Sequence, residues 1–477
     1  MSETATRPNV LLVCTDQQPY DWVEMASEMP VRTPAVADLA ERGRWFRDAV
    51  CPTPVCNPAR SCIASGYEYD RSGVPNNEVD YPVEQGTLYR RLRDEAGYHV
   101  AGCGKFDLTA QYDLGMDGQP SDEWGFSDAI FNPAKNETVR RAREAGGEPQ
   151  GPYTKYLAEK GHLSTHIEDY DRRTRGDPLD GGAFVSTEPT SIPDEAYYDS
   201  WIARNGRTLI ERAPDDDPWF VQVNLQNPHV PFDVTERMHD LYRDPPVEFP
   251  EPRGDGEKVD PETGQEVRRN FAAMVEHLDE RLESLIDAVR ERGEVDETLI
   301  VFMSDHGEML GDYGQWSKDS PYHSSVGVPL VMAGPGVADR EPCDAPVTTL
   351  DIHATILDYA GLEPGDIDSR SMRPLLADET DRLRDVVYSG LSTWRMVYDG
   401  RFKLVRGFDP DRRDGTEYEP RGIEPNEVSR LTARREPILF DRENGEGENV
   451  ADEHPDVVSE LTERMEEIRD FESYGTY

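Results

Sequence analysis

Cys56 opens the stretch Cys56-Asn57-Pro58-Ala59-Arg60-Ser61-Cys62-Ile63-Ala64-Ser65-Gly66, in which a thiol is followed at fixed offsets by proline, arginine and glycine. Proline lacks only an N–H that the first helical turn leaves unpaired, so Pro58 predicts a helix start with Asn57 as its cap. Cys56 then stands at a helix N-terminus, where orphan N–H groups and the dipole favour negative charge. Arg60 adds a fixed cation able to fork onto an anion or to steady an activated nucleophile. The stretch reads as a nucleophile in an anion cradle. A cysteine alone is more often a small buried hydrophobe, so the neighbours at their offsets carry the reading.

Four further groups fall where strands are expected to end, which is where α/β sheets place their chemistry. Residues 9–14 form a continuous apolar run, the pattern of a strand buried on both faces, and lead into Asp16 and Gln17. A carboxylate and an amide carbonyl are hard oxygen ligands suited to calcium or magnesium. The strand over 298–303 ends at Ser304-Asp305-His306-Gly307-Glu308, where Asp305 and His306 can complete that site. Residues 99–103 lead to Gly104-Lys105-Phe106-Asp107, and 218–225 to Gln226-Asn227-Pro228-His229-Val230-Pro231. An imidazole held between prolines suits sulfate binding or proton donation to a leaving group. The chain has only seven lysines, so Lys105 after a glycine at one strand end and Lys318 in the loop after Asp305 draw notice.

The elements that must position these groups alternate in type. Helices are expected over 33–43, 87–96, 196–212, 271–292 and 348–359, and strands over 44–50 and 328–332. Asp279 within the fourth helix reads as structural. Residues 126–193 are rich in Gly, Asp, Glu, Arg and Pro with little periodicity, and read as an elaborated loop region. Arg140, Arg141, Arg143, Lys155, His162 and His166 could reach a substrate from it, although solvated charge is the simpler account. Near Asp381 the pattern shifts to short alternating strands (386–391, 395–397, 402–405, 438–440) and a terminal helix over 456–471. The expected division is a catalytic α/β domain over 1–380 and an α+β subdomain over 381–477.

At 477 residues the chain is long enough for a large enzyme core. Its 96 acidic against 51 basic residues give a net charge of −45 spread along the whole length, which repels nucleic acid and anionic membranes. An acidic, lysine-poor surface suits molar salt, where the Debye length falls to about 3 Å, and points to a halophile's cytoplasm. Six cysteines without a CxxC pair argue against a disulfide or zinc framework. The first residues lack a basic and an apolar export segment, and no stretch approaches membrane-spanning length.

The 56–66 stretch resembles the signature of the sulfatases, Cys-x-Pro-Ser/Ala-Arg-x-x-x-x-Thr-Gly, with Ser65 for the usual threonine. The Pro228-His229-Val230-Pro231-Phe232 run and the order Asp305-His306-Gly307, loop lysine, Val328-Pro329-Leu330 resemble further motifs of that family. The resemblance implies an α/β fold of the alkaline-phosphatase-like superfamily: a large mixed, mainly parallel central sheet flanked by helices, with a small C-terminal antiparallel sheet. It implies that Cys56 is converted to formylglycine by a formylglycine-generating enzyme. It also implies one divalent cation, calcium ahead of magnesium or manganese, held by Asp16, Gln17, Cys56, Asp305 and His306. Arg60, Lys105, His229 and Lys318 would serve catalysis on a small-molecule or saccharide sulfate ester, in a monomer or an oligomer. Where the family places a histidine contacting the nucleophile, this chain has Asp107, a catalytic-site candidate that could accept a proton, ligate the metal, or mark a different subgroup or weakened activity. The Asp16-Gln17 pair and Leu310-Gly311-Asp312-Tyr313-Gly314 lean toward the branch of choline sulfatases and phosphonate monoester hydrolases. Phosphonate or phosphodiester hydrolysis is thus the alternative activity, and a non-catalytic metal-binding relative is the alternative if Cys56 stays a thiol.

Overall fold

The computed structural model describes residues 7–109, 121–256, 259–338, 341–409 and 436–469. The first apolar run forms β1 (Asn9–Asp16), buried along seven of its eight residues. Such a strand is stable only with both faces covered and both edges paired. The strands β2 (Gly43–Trp45), β4 (His99–Gly104), β5 (Asp128–Phe131), β6 (Trp219–Pro228), β7 (Thr298–Ser304) and β8 (Leu330–Ala333) join it in one sheet ordered β2-β8-β7-β1-β6-β4-β5. From β7 to β5 the strands run parallel, and β8 runs antiparallel against β7. Val10 lies opposite both Phe220 and Leu299, so β1 is the spine of the sheet. The β1–β6 register slips between Cys14 and Asp16, a bulge that re-aims the strand's last side chains.

Helices cover both faces. One face packs on the helices α1 (Pro34–Glu41), Tyr198–Arg212 and Pro261–Glu291. The other packs on α2 (Cys56–Ser65), Leu88–Ala96 and Ile352–Tyr359. Asp279 is structural as read: its two carboxylate oxygens accept the N–H groups of Ala35 and Val36, each at 2.9 Å, and so cap α1 from another helix. The expected strand over 44–50 is two pieces, since β3 (Ala49–Val50) leaves the main sheet to pair with β9 (Val347–Thr348).

Residues 126–193 correct the sequence reading. They carry β5 and the helices Lys135–Glu144, Pro152–Lys160 and Leu163–Arg173. These helices bury a narrow apolar stripe (Val139, Ala142, Tyr153, Leu157, Leu163), too sparse to announce itself among charges. The charges are largely spent within the helices. Arg140 and Arg141 pair with Glu137, Arg143 with Asp171, and His166 is buried edge-on against Tyr153.

The strands β10 (Val387–Leu391), β11 (Trp394–Tyr398), β12 (Phe402–Arg406) and β13 (Ile438–Asp441) form an antiparallel sheet in that order. Alternate residues face two ways. Leu391, Trp394, Met396 and Val405 join the main core, while Val397, Leu404 and Leu439 meet Leu461 and Met465 of the helix Pro455–Ile468. The fold class is the one expected from the sequence. Among the described residues no helix is long and apolar enough to cross a membrane.

The chain just after α2 is tied to this second sheet through Asp70, which accepts from Arg395 and from the Tyr388 hydroxyl, each at 2.5 Å. Glu68 lies beside it, and burial, reinforced by Asp368, pushes its carboxyl up to about 8. An acid whose pKa is higher folded than unfolded holds its proton longer in the native state, so stability falls as pH rises through that window. Glu68→Gln should match the wild type near pH ~5 and gain on it progressively toward pH ~9, read as urea midpoints across pH. A constant offset would mean that Glu68 does not titrate there.

Candidate active site

Asp16, Gln17, Lys105, Asp107, His229, Asp305, His306 and Lys318 lie at or just beyond the carboxyl end of the sheet, and Cys56 and Arg60 on α2 reach them. α2 begins earlier than expected: the helix starts at Cys56, with Val55 flanking it, instead of at Pro58. Asn57 is not the cap. Its N–H donates to Asn77 Oδ1 at 3.0 Å and its side-chain NH2 to the Val79 carbonyl at 2.9 Å, which anchors the next loop. All ten residues of α2 are buried, and Ser65 closes the helix on the Ser61 carbonyl before Gly66 turns left-handed.

Around the Cys56 sulfur, His306 Nε2 stands at 3.2 Å, Lys318 Nζ at 3.2 Å, Lys105 Nζ at 3.3 Å and Asp16 Oδ1 at 3.7 Å. His229 also lies close enough to the thiol to help lower its pKa. Lys105 binds Asp16 and reaches Asp107 at 3.2 Å, while Arg60 grips Asp305 at 2.8 Å and the Lys105 carbonyl. Gly104 is required just before Lys105: at φ +93° its backbone lies so near Asn224 that a Cβ would fall 2.0 Å from that residue's carbonyl oxygen.

The two imidazoles are oriented the same way. His306 Nδ1 meets the Gly307 carbonyl at 3.0 Å and His229 Nδ1 the Val230 carbonyl at 2.8 Å. A carbonyl only accepts, so each Nδ1 carries the proton and each Nε2 is left for the site. One ligand atom each from Asp16, Cys56, Asp305 and His306 lies within 4.8 Å of the others, a spacing a single cation can span. Gln17 stands beside them in the left-handed region (φ +72°), its N–H on Asp305 Oδ1 at 3.1 Å.

Sequence reasoning missed Lys135, on the first helix of the region taken for loop. Its ammonium binds Asp233 at 2.7 Å and Asn227 Oδ1 at 3.1 Å, clamping both sides of the His229 loop. Scarcity was the available signal, since Lys135 is one of the seven lysines.

Burial alone lifts a thiol or a carboxyl, and the cations here overcome it unevenly. Lys105, Lys318, His306 and His229 outweigh burial and hold Cys56 well below the ordinary thiol range. Asp107, by contrast, is raised, because burial exceeds the pull of Lys105. In protein whose Cys56 is still a thiol, Lys318→Met should raise the pH at which thiolate ultraviolet absorbance appears, with Cys56→Ser as baseline. An unchanged titration would show that Lys318 does not hold the thiolate.

Residues 8–362 match the model of the sulfatase family. A choline-sulfatase of Rhizobium meliloti is 25% identical over 457 residues, covering 87% of this chain and 82% of that protein. An arylsulfatase of Clostridium perfringens is 23% identical over 410 residues, covering 80% and 81%. Among solved structures, a phosphonate monoester hydrolase of Agrobacterium radiobacter shares the fold with a TM-score of 0.76 at 22% identity, covering 97% of this chain and 95% of that one. With the family model spanning about three quarters of its length, this chain belongs to the sulfatase family.

Proposed function

We propose that the protein releases inorganic sulfate from a small-molecule or saccharide sulfate ester, using a formylglycine made from Cys56 and one divalent cation. The seat of Cys56 carries this reading: a side chain 1% exposed, at the first turn of a buried helix, ringed by two lysines and two imidazoles. Its sulfur marks where the hydrate oxygens of the converted residue would lie. Converted, residue 56 would supply a hydrated aldehyde: one hydroxyl would attack sulfur in line as the bond from sulfur to the alcohol oxygen breaks, and the other would then lose its proton, expel sulfate and restore the aldehyde.

The donor set fits a hard cation, because carboxylates from Asp16 and Asp305, the Gln17 carbonyl and an oxygen on residue 56 outnumber the His306 nitrogen. A cation held there by Asp16, Gln17, Asp305, His306 and residue 56, calcium ahead of magnesium or manganese, would supply Lewis-acid polarisation of a sulfate oxygen and favour an ionised hydroxyl. Arg60 fixes Asp305 and, with Lys105, stabilises charge gathering on residue 56. Lys318 grips the sulfate oxygens. His229 or Lys318 would assist the alcohol's departure; His229 could give a proton only after taking one up on Nε2, since its Nδ1 proton is held by the Val230 carbonyl. Asp107 takes the family histidine's place, and its raised carboxyl can hold a proton next to Lys105.

A second reading, phosphonate monoester or phosphodiester hydrolysis at the same site, is favoured by the Asp16-Gln17 pair and by the fold shared with two phosphonate monoester hydrolases. We further place the protein in the cytoplasm of a salt-adapted cell, matured there by a formylglycine-generating enzyme, on the strength of its charge of −45.

Mass spectrometry of the Cys56 peptide from native cells should find the aldehyde; thiol in every copy would leave a non-catalytic metal-binding relative. Cys56→Ala should abolish aryl sulfate hydrolysis in high salt, and a chelator should suppress it until calcium is restored. Retained turnover in Cys56→Ala would mean another nucleophile. A parallel panel of sulfate, phosphonate and phosphodiester esters ranks the two enzymatic readings by kcat/KM.

A further inference from the structure

We propose that Glu308 is the positioning residue of this site, orienting the Gln17 amide so that its carbonyl oxygen, and not its NH2, faces residue 56 and Lys318. The side chain is buried at 1% exposure, and three N–H donors converge on it. Leu310 donates to Oε1 at 3.1 Å, Ser317 donates to the same oxygen at 2.6 Å, and Gln17 Nε2 donates to Oε2. With all three N–H groups aimed at its oxygens, the ionised carboxylate, the form held above the pH of about 7 to which burial lifts it, only accepts.

An amide is two-faced, and nothing in its shape tells its oxygen from its nitrogen. Set against an acceptor-only partner, Gln17 can present only its NH2 to Glu308, which sends its oxygen to the opposite side. There Gln17 Oε1 accepts from Lys318 Nζ at 2.8 Å, and the same ammonium reaches the Cys56 sulfur at 3.2 Å. Through Ser317 the carboxylate also holds the residue just before Lys318. One buried group therefore sets both a donor oxygen of the site and the lysine beside it.

Gln17 and Glu308 are on this account a matched pair. A carboxylate at 17 would face the carboxylate of Glu308, two like charges in a desolvated place, unless position 308 changed with it. The inference rests on the proposed cation only for the use made of the oriented oxygen; the orientation itself is testable without any ion.

In chelator-stripped protein, the Gln17 side-chain NH2 resonances, identified by their loss in Gln17→Leu, should lie downfield through the charge-assisted bond and move upfield in Glu308→Gln. Calcium affinity by titration calorimetry should fall by about 10–100-fold in Glu308→Gln. It should recover in Gln17→Glu/Glu308→Gln, where acceptor and donor have traded places. Unmoved resonances, or a double variant no better than Glu308→Gln, would overturn the proposal. Should Glu308→Gln fail to fold, a folded double variant that binds calcium supports it. A double variant that does not fold, or folds without binding, sinks it. If the wild type binds no cation, the resonance arm still decides Glu308, and the failure belongs to the proposed function.

Discussion

The constraint on which this structure depends is charge balance in a place without water. Asp16 and Asp305 are fully buried, as is the thiol between them, and carboxylates in such surroundings stay ionised only when cations stand against them. Lys105, Lys318 and Arg60 meet that demand. Each is delivered by a different element: the end of β4, the loop after β7, and α2. The sheet order reflects this need, because β1 must lie between β6 and β7 for groups so far apart in sequence to converge.

The same balance explains where the scarce lysines went. Lys105, Lys135 and Lys403 are buried, each paired with a carboxylate, while aspartate and glutamate outnumber the cations of the whole chain by 96 to 51. Salt screens exposed charges far more than buried ones. Exposed charges and the balanced ion pairs of the interior thus answer to different conditions, and changing the ionic strength of the medium acts mainly on the first.

Much of the site was legible in the sequence, and for a physical reason. Strands buried on both faces are written as unbroken apolar runs, so their ends can be found, and short polar segments succeed Cys14, Cys103, Leu225 and Met303. The helix start at Cys56 was displaced because Pro58 and Asn57 satisfy local rules that the tertiary contacts of Asn57 override. The helices between Lys135 and Arg173 were hidden because their stripe is narrow and their charges pair along the helix, a pattern that composition alone cannot tell from a solvated loop. Glu308 was visible as a residue in its motif but not as a partner, since its role exists only once β1 and β7 lie side by side.

The burial of Cys56 sets a clock. Its sulfur is covered by groups from positions 105, 229, 306 and 318, and the Trp394 indole, bonded to the Asp319 carbonyl at 3.1 Å, fastens the segment that bears Lys318. An enzyme acting on the thiol has access while those later segments are still being made, and little once they have closed. Conversion, as proposed, is then a race between modification and folding, run from the amino end of the chain. Slowed closure would raise the converted fraction, and unusually fast folding would yield a well-formed protein with an inert heart.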